Sequence, residues 1–308
     1  MKRIYDMIIL GGGPGGYTAA LYAARAGLEV LVLEKLSAGG QMALTGSIDN
    51  YPGFPEGVDG FTLGMQMQAG AERFGAKTQY AEVLSVALSE TPKRIETSDG
   101  TQLARAVILC TGADPRKLGL DGEEALTGRG VHYCAHCDGR FYKDKTVVVV
   151  GGGNTAAADA LYLSHLAKKV ILVHRRNTLR ATKIYHEPLM RAENLEFCWN
   201  SRVSALHADG RLNGVEITDV LSGETQTVSC DAVFVSIGRE PLTALFKGQL
   251  ALDDAGYIVA DESTKTSLAG VFAAGDVRQK ALRQVITAAA DGATAAHFAE
   301  EYLAQNQA

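Results

Sequence analysis

The chain has 308 residues, 46% hydrophobic and 21% charged, with a formal net charge of −5 and no basic stripe or polybasic tail. That is an ordinary globular composition with room for about two domains, and it argues against a nucleic-acid partner. No segment approaches the roughly 18 apolar residues of a membrane span. The N-terminus runs from two early basic residues straight into a strand and a glycine loop, so the expected location is cytoplasmic.

Residues 5–10 form a short apolar run, read as a buried strand. A glycine loop follows at 11–16, then an alanine-rich helical stretch over 15–26 closed by Gly27, then a second strand over 29–34. This is a βαβ unit of a parallel sheet with crossover helices. Residues 39–60 are rich in Gly, Pro and Asn and read as an irregular loop. Residues 61–74 read as a helix ended by Gly75, 77–107 as a small β meander, and 106–110 as another buried strand. The opening pattern then recurs, with an apolar strand at 146–150, a glycine loop at 151–153, a helix at 155–166 and a strand at 169–174. A helix over 181–192, short strands through residue 235, a buried strand at 271–274 and a long helix over 284–305 complete the chain. Two βαβ units predict an α/β protein with two Rossmann-like, doubly wound, three-layer dinucleotide-binding domains.

The first loop is Gly11-x-Gly13-x-x-Gly16. Its first glycine permits a tight turn, its second lets a pyrophosphate approach the backbone, and its third lets helix and strand pack closely. The phosphates then meet the free N–H groups of a helix N-terminus. Glu34 ends the second strand, where a carboxylate accepts from an adenosine ribose. The second loop, Gly151-x-Gly153-x-x-Ala156, repeats the device with a tolerated alanine. Its second strand ends not in an acid but in His174-Arg175-Arg176, with Arg180 nearby. Guanidinium forks bind a phosphate dianion that a carboxylate would repel, so this site should prefer NADPH to NADH.

There are five cysteines, Cys110, Cys134, Cys137, Cys198 and Cys230, an odd and sparse set that is no secreted disulfide framework. Cys134-Ala-His-Cys137 suits a reversible disulfide or half of a zinc site. The other three cysteines form no second close pair, although His132 and His136 are nearby. Redox use is the expectation, because a dithiol and a flavin both exchange two electrons. Asp138 is then placed to move a thiol proton, against the alternative of a simple turn or cap acid. Cys110, Cys198 and Cys230 lie on or beside apolar strand patterns and read as inert buried thiols.

These residues, in this order and spacing, resemble bacterial low-molecular-weight thioredoxin reductases along essentially the whole chain. The resemblance is carried by Gly-Gly-Gly-Pro-Gly-Gly at 11–16, Gly39-Gly40-Gln41, Asn50-Tyr51-Pro52-Gly53, Cys110-Thr111-Gly112-Ala113 and Cys134-x-x-Cys137-Asp138-Gly139. Gly-Gly-Gly-Asn-Thr-Ala at 151–156, His174-Arg175-Arg176 with Arg180, Ala274-Gly275-Asp276 and Arg283-Gln284 continue it. It implies a discontinuous FAD-binding domain over 1–113 and 239–308, with an NADPH-binding domain over 114–238 inserted and carrying the redox pair. It implies FAD contacts from Gly11, Gly13, Pro14, Gly16, Glu34, Gly40, Gln41, Asn50, Thr111, Gly112, Gly275, Asp276, Arg283, Gln284 and Val285. NADPH contacts would come from Gly153, Asn154, Thr155, Ala156, His174, Arg175, Arg176 and Arg180. It further implies Cys137 as the thiol facing the flavin, Cys134 as the thiol that attacks thioredoxin, a homodimer, no resident metal, and a rotation between domains. His136 departs from the family, which usually has a small or apolar residue there; a histidine between the cysteines could lower a thiol pKa. A flavin dithiol oxidase using oxygen and a ferredoxin-driven branch keep the fold, but neither needs the Arg175, Arg176 and Arg180 cluster. A dinucleotide-bound redox sensor is the non-enzymatic alternative.

Overall fold

The computed structural model describes residues 3–306. The chain divides into two compact units, Met1–Asp114 with Glu240–Ala308, and Pro115–Arg239.

In the first unit, β1 (Ile4–Leu10) leads through α1 (Pro14–Arg25) to β2 (Val30–Glu34), followed by α2 (Gly60–Glu72), β3 (Lys77–Tyr80), β4 (Val83–Ala87), β5 (Lys93–Thr97) and β6 (Gly100–Leu109). The sheet order is β3-β2-β1-β6-β5-β4, and a late strand, Val271–Ala273, also pairs with β6. Alternation along β1 explains the layering, because successive side chains of a strand point to opposite faces. Met7 and Ile9 join a core with Ala19, Ala20 and Ala23 of α1 and Ala295, Ala296 and Ala299 of the Val285–Gln305 helix. Ile8 and Leu10 join a separate core with Leu31, Leu33, Ile95, Phe246 and Ile258. The two helices cross closely because the contact is glycine on glycine: a Cβ on Gly292 would overlap the Gly15 carbonyl oxygen.

Two expectations fail here. Residues 77–80 are not part of a meander; β3 pairs parallel with β2, Leu31 opposite Lys77, at the sheet edge. Nor do residues 100–110 hold two strands. One long strand, β6, pairs antiparallel with β5 through residues 100–104 and parallel with β1 through residues 103–109. The irregular 39–60 segment contains a single 3-10 turn, Gly40–Leu44, and α2 starts one residue earlier than expected because Asp59 caps it, its Oδ1 accepting from the Thr62 N–H at 2.8 Å.

The second unit repeats the plan. Its parallel strands run in the order Leu195–Cys198, Lys169–Val173, Thr146–Val150, Ala232–Val235, Val131–His132. Val147 and Val149 face the Asn154–Ser164 helix, while Val148 and Val150 face an antiparallel sheet of Ser201–Asp209, Arg211–Asp219 and Thr225–Ser229. The expected helix over 181–192 is a 3-10 turn, Lys183–Tyr185, followed by a short helix, His186–Arg191. The fold class is therefore as expected: two Rossmann-like units, the first a parallel sheet extended by the antiparallel strands β5 and β4, the second an all-parallel sheet, each covered on both faces. Among the described residues no helix is long and apolar enough to cross a membrane.

A buried ion cluster ties the end of the first unit's chain to its core. Asp291 accepts from Arg278 Nη2 at 2.8 Å, from Lys280 Nζ at 2.8 Å and from the Gly275 N–H at 2.9 Å. Burial alone would raise the Asp291 pKa, but the Arg278 and Lys280 contacts carry it below the ordinary carboxylate value. Its contribution to stability is thus present above the ordinary aspartate pKa and lost as pH falls through the lowered value. Asp291→Ala should destabilise the protein by about 3–5 kcal/mol, since it strands two buried cations. A thermal melt at neutral pH checks this, and an unchanged midpoint refutes it.

Candidate active site

Both glycine loops lie at the carboxyl ends of parallel strands, where open α/β sheets bind ligands. In the first, Gly11 has φ +107°, a conformation that favours glycine, and a Cβ on Gly16 would overlap the Gly11 carbonyl oxygen. A Cβ on Gly13 would meet nothing within 4 Å, so open space faces the backbone where a pyrophosphate would lie. Pro14 occupies the first helical turn, where its missing N–H is harmless. Glu34 is anchored at the loop: Oε2 accepts from the Gly12 N–H at 2.7 Å and Oε1 from the Lys35 N–H at 2.9 Å. A carboxylate has about four lone-pair sites, so capacity remains for a ribose hydroxyl.

Gly40, Thr111 and Gly275, three further flavin candidates of this unit, lie against that loop. The Gly39 N–H donates to the Gly12 carbonyl at 2.8 Å, and a Cβ on Gly40 would touch Gly13. Gln41 Nε2 donates to Asp114 at 2.6 Å, and Asn50 Nδ2 donates to Gln284 Oε1 at 3.0 Å across 234 positions of sequence. Thr111 and Gly112 leave β6 and bond the backbone of Leu242. Gly275 and Asp276 leave the Val271–Ala273 strand, and Gly275 is held by Asp291. Arg283 stacks on the Tyr257 ring with its guanidinium carbon 4.0 Å from the centroid. Val285 opens the last helix, and Gln284 caps it. Sequence reasoning did not find Asp114, Tyr257 or Asp291, which no motif marks.

In the second unit a Cβ on Gly151 would overlap the Ser236 carbonyl, while one on Gly153 would meet nothing within 4 Å. Ala156 is fully buried under the loop. Thr155 lies in the first turn of the Asn154–Ser164 helix, and Asn154 Oδ1 accepts from the Thr182 N–H at 2.8 Å. His174 is buried, and its ring fills the place a Gly152 side chain would need. Burial, then the positive field of Arg180, Arg176 and Arg175, lowers its pKa, so it is neutral at physiological pH. The three arginines are exposed, and none is ion-paired among the described residues.

The same unit carries the cysteine pair. Cys134 and Cys137 are joined in a disulfide, Cα to Cα 5.3 Å, across the first turn of the short helix Ala135–Asp138. The Cys137 and Asp138 N–H groups both donate to the Cys134 carbonyl, at 3.3 and 3.1 Å. Asp138 makes no side-chain cap; its Oδ2 lies 3.0 Å from Nδ1 of buried His132. His136 lies against the Tyr162 ring, with centroids 4.3 Å apart. Among the described residues no cluster of three or more His, Cys, Asp or Glu could hold a metal. Cys110, Cys198 and Cys230 are free thiols. Burial pushes the Cys230 thiol up to about 12 and Cys110 higher still, whereas Cys198 is half-buried on an edge strand.

The sequence matches the pyridine nucleotide-disulphide oxidoreductase family over residues 5–292. The chain belongs to that family. A thioredoxin reductase from Streptomyces clavuligerus is 49% identical over 307 residues, 99% of this chain and 95% of that protein. One from Listeria monocytogenes is 44% identical, over 98% of this chain and 95% of that one. The crystal structure of thioredoxin reductase from Streptococcus pyogenes superposes with a TM-score of 0.91 at 41% identity, covering 99% of this chain and 100% of that chain. The family is one of oxidoreductases, and this chain carries its dinucleotide loops and a cysteine disulfide.

Proposed function

We propose that this protein is an NADPH-dependent, FAD-containing thioredoxin reductase. The observation that carries the reading is the Cys134–Cys137 disulfide on a unit with its own dinucleotide loop, in a chain whose relatives bear that name. FAD would occupy the discontinuous unit, Met1–Asp114 with Glu240–Ala308, and NADPH the inserted one, Pro115–Arg239. Bound FAD would supply two-electron chemistry between a nicotinamide and a disulfide.

The chain's own residues do the rest. The Gly11–Gly16 backbone would hold the pyrophosphate and Glu34 the ribose. Asp276 would contact the ribitol and Arg283, Gln284 and Val285 the flavin ring, while Gly40, Gln41, Asn50, Thr111, Gly112 and Gly275 would line the rest of the FAD. Gly153, Asn154, Thr155 and Ala156 would seat the NADPH diphosphate. Arg175, Arg176 and Arg180 would bind its 2′-phosphate, beside the neutral His174. Cys137 would receive the electrons and Cys134 would attack the substrate disulfide, with Asp138 moving the proton. The enzyme would work as a homodimer in the cytoplasm.

The reading is tested by mixing the purified holoprotein with NADPH or NADH and oxidised thioredoxin while following nicotinamide absorbance. Rapid NADPH oxidation that requires thioredoxin is expected; oxidation indifferent to any disulfide would sink it.

Flavin binding has its own check. Gly13 has φ −80°, open to any residue, and space in front of it. Gly13→Asp should therefore fold normally while placing a carboxylate against the pyrophosphate. At about 4 Å and an effective dielectric near 20 the repulsion is about 4 kcal/mol. We expect the FAD dissociation constant to rise by more than about 10²-fold; a folded variant that keeps its flavin absorbance would refute the placement.

A further inference from the structure

A two-residue strand, Val131–His132, lies at the edge of the inserted unit's parallel sheet, with His132 paired opposite Phe234. The His132 side chain is only 6% exposed, and the rings of Phe234 and Tyr142 pack on it at centroid distances of 5.3 and 5.2 Å. Both ring nitrogens are engaged. Nδ1 lies 3.0 Å from Asp138 Oδ2, and Nε2 lies 2.7 Å from the Tyr142 hydroxyl. An ionised carboxylate only accepts hydrogen bonds, so Nδ1 carries the proton facing Asp138. Nε2 of the neutral ring is then an acceptor, and the Tyr142 hydroxyl donates to it. Tyr142 is 2% exposed; burial raises its pKa, so it stays a neutral donor.

A histidine filling a core needs no carboxylate, and a turn aspartate needs no buried imidazole. Here the carboxylate belongs to the residue after Cys137, whose backbone N–H closes the turn on Cys134. We propose that His132 is a positioning residue for Asp138, held in one tautomer by Tyr142, and that it sets the proton transfer that accompanies thiol–disulfide exchange. This rests on the disulfide-reductase reading above.

His132 ties down Oδ2, which leaves Oδ1 as the atom that exchanges a proton. In the first step the Cys134 thiol gives its proton to Asp138 Oδ1 as its sulfur bonds to one sulfur of the substrate disulfide. The substrate S–S bond breaks, and the leaving thiolate takes the proton from Asp138. In the second step the Cys137 thiol gives up its proton by the same route while its sulfur attacks Cys134. The mixed disulfide breaks, and the second substrate thiolate is protonated. Two thiols are oxidised to one disulfide, one disulfide is reduced to two thiols, and two protons are handed on.

The sign of the pH effect follows. A hydrogen bond donated to the charged form of a carboxylate favours that form. Removing the His132 donor 3.0 Å from Oδ2 should therefore move the acid limb of the exchange profile to higher pH. Other charged groups near the triad act on Tyr142: Arg211 through a side-chain hydrogen bond and its charge, Asp231 through its charge, and Lys145, whose Nζ is 5.9 Å from the ring centroid. Phe234 contributes only an apolar face.

The test uses the holoenzyme of the native protein and of His132→Phe, His132→Asn and Tyr142→Phe. Two rates are read separately: flavin reduction by NADPH, and reduction of a small aromatic disulfide, which removes thioredoxin recognition from the comparison. General acid–base catalysis contributes about 10²–10⁴-fold, and loss of a positioning partner should forfeit about 10-fold or more of it. His132→Phe should slow exchange by that factor, move the acid limb of its pH profile upward and leave flavin reduction unchanged. Tyr142→Phe, which removes only a hydroxyl, should shift the limb in the same direction by less. His132→Asn, whose amide can donate from the Nδ1 position, should restore most of the native profile.

Native-like exchange and pH profiles in both His132→Phe and Tyr142→Phe would overturn the proposal. So would an equal loss in the two half-reactions that asparagine does not rescue, which marks a structural role. If His132→Phe does not fold, Tyr142→Phe and His132→Asn decide the matter alone. A native holoenzyme that reduces no disulfide would remove the disulfide-reductase reading and this one together. A native enzyme that does reduce disulfides, with variants that match it, would remove only this one.

Discussion

Cys134→Ser and Cys137→Ser should each reduce thioredoxin turnover by more than about 10³-fold, the scale on which removing a covalent nucleophile acts, while NADPH still reduces the flavin. The two cysteines already share a bond, so the geometry for closing the disulfide exists in the resting chain. A flavin ring within a folded unit is out of reach of a disulfide on another protein, so electrons need a covalent carrier. Thiol–disulfide exchange supplies it through a mixed disulfide that two sulfurs must form and then resolve. Either serine variant lacks one of those steps. The difference between them is informative: Cys134→Ser leaves the thiol assigned to the flavin side, so it should retain a thiolate-to-flavin absorbance band that Cys137→Ser lacks. Stopped-flow absorbance measures both half-reactions. Full thioredoxin turnover in either variant would return the pair to a structural role.

Replacing Arg175 and Arg176 together with glutamine should erase the preference for NADPH, lowering kcat/KM for NADPH about 10²-fold or more and changing that for NADH little. Both side chains are exposed at the end of the Lys169–Val173 strand, and neither is committed to a carboxylate among the described residues. A charge-assisted hydrogen bond is worth about 1.5–3 kcal/mol. Exposure to solvent argues for the low end, so two contacts give about 3 kcal/mol, which is the stated factor. The effect should weaken with added salt, because exposed charges are screened beyond about 10 Å at 0.1 M. Steady-state kinetics with both cofactors at two ionic strengths would check it. Equal losses for NADPH and NADH would mean that the arginines do not read the 2′-phosphate.

The sequence by itself determined what depends on near neighbours in the chain. The apolar runs at residues 5–10 and 146–150 are strands because continuous β-branched and aliphatic stretches of that length bury on both faces. Gly11 and Gly151 turn where a positive φ is required, and Gly16 has no room for a side chain. Cys134 and Cys137 pair because two intervening residues bring them within 5.3 Å at Cα on one helical turn. Only the tertiary structure decided matters of partnership between distant segments. Nothing in residues 77–80 announces that they pair with β2 rather than with their neighbours; Ala81, fully sequestered beyond them, donates its N–H back to Glu34 at the end of that strand. Residues 100–109 became one strand because β5 claims the first half of β6 while β1 runs along the second, a division of hydrogen bonds that no periodicity records. Asn50 meets Gln284, and Asp291 meets Arg278, Lys280 and Gly275, through chain crossings fixed by how α1 and the last helix interlock. His132 read as a bystander of the cysteine pair, or at most a weak zinc candidate. Its role emerges only because strand pairing with Phe234 turns its ring between Asp138 and Tyr142. Local propensity and spacing act within a few residues, whereas the identity of a buried polar group's partner is set by the whole fold, which must satisfy every such group it removes from water.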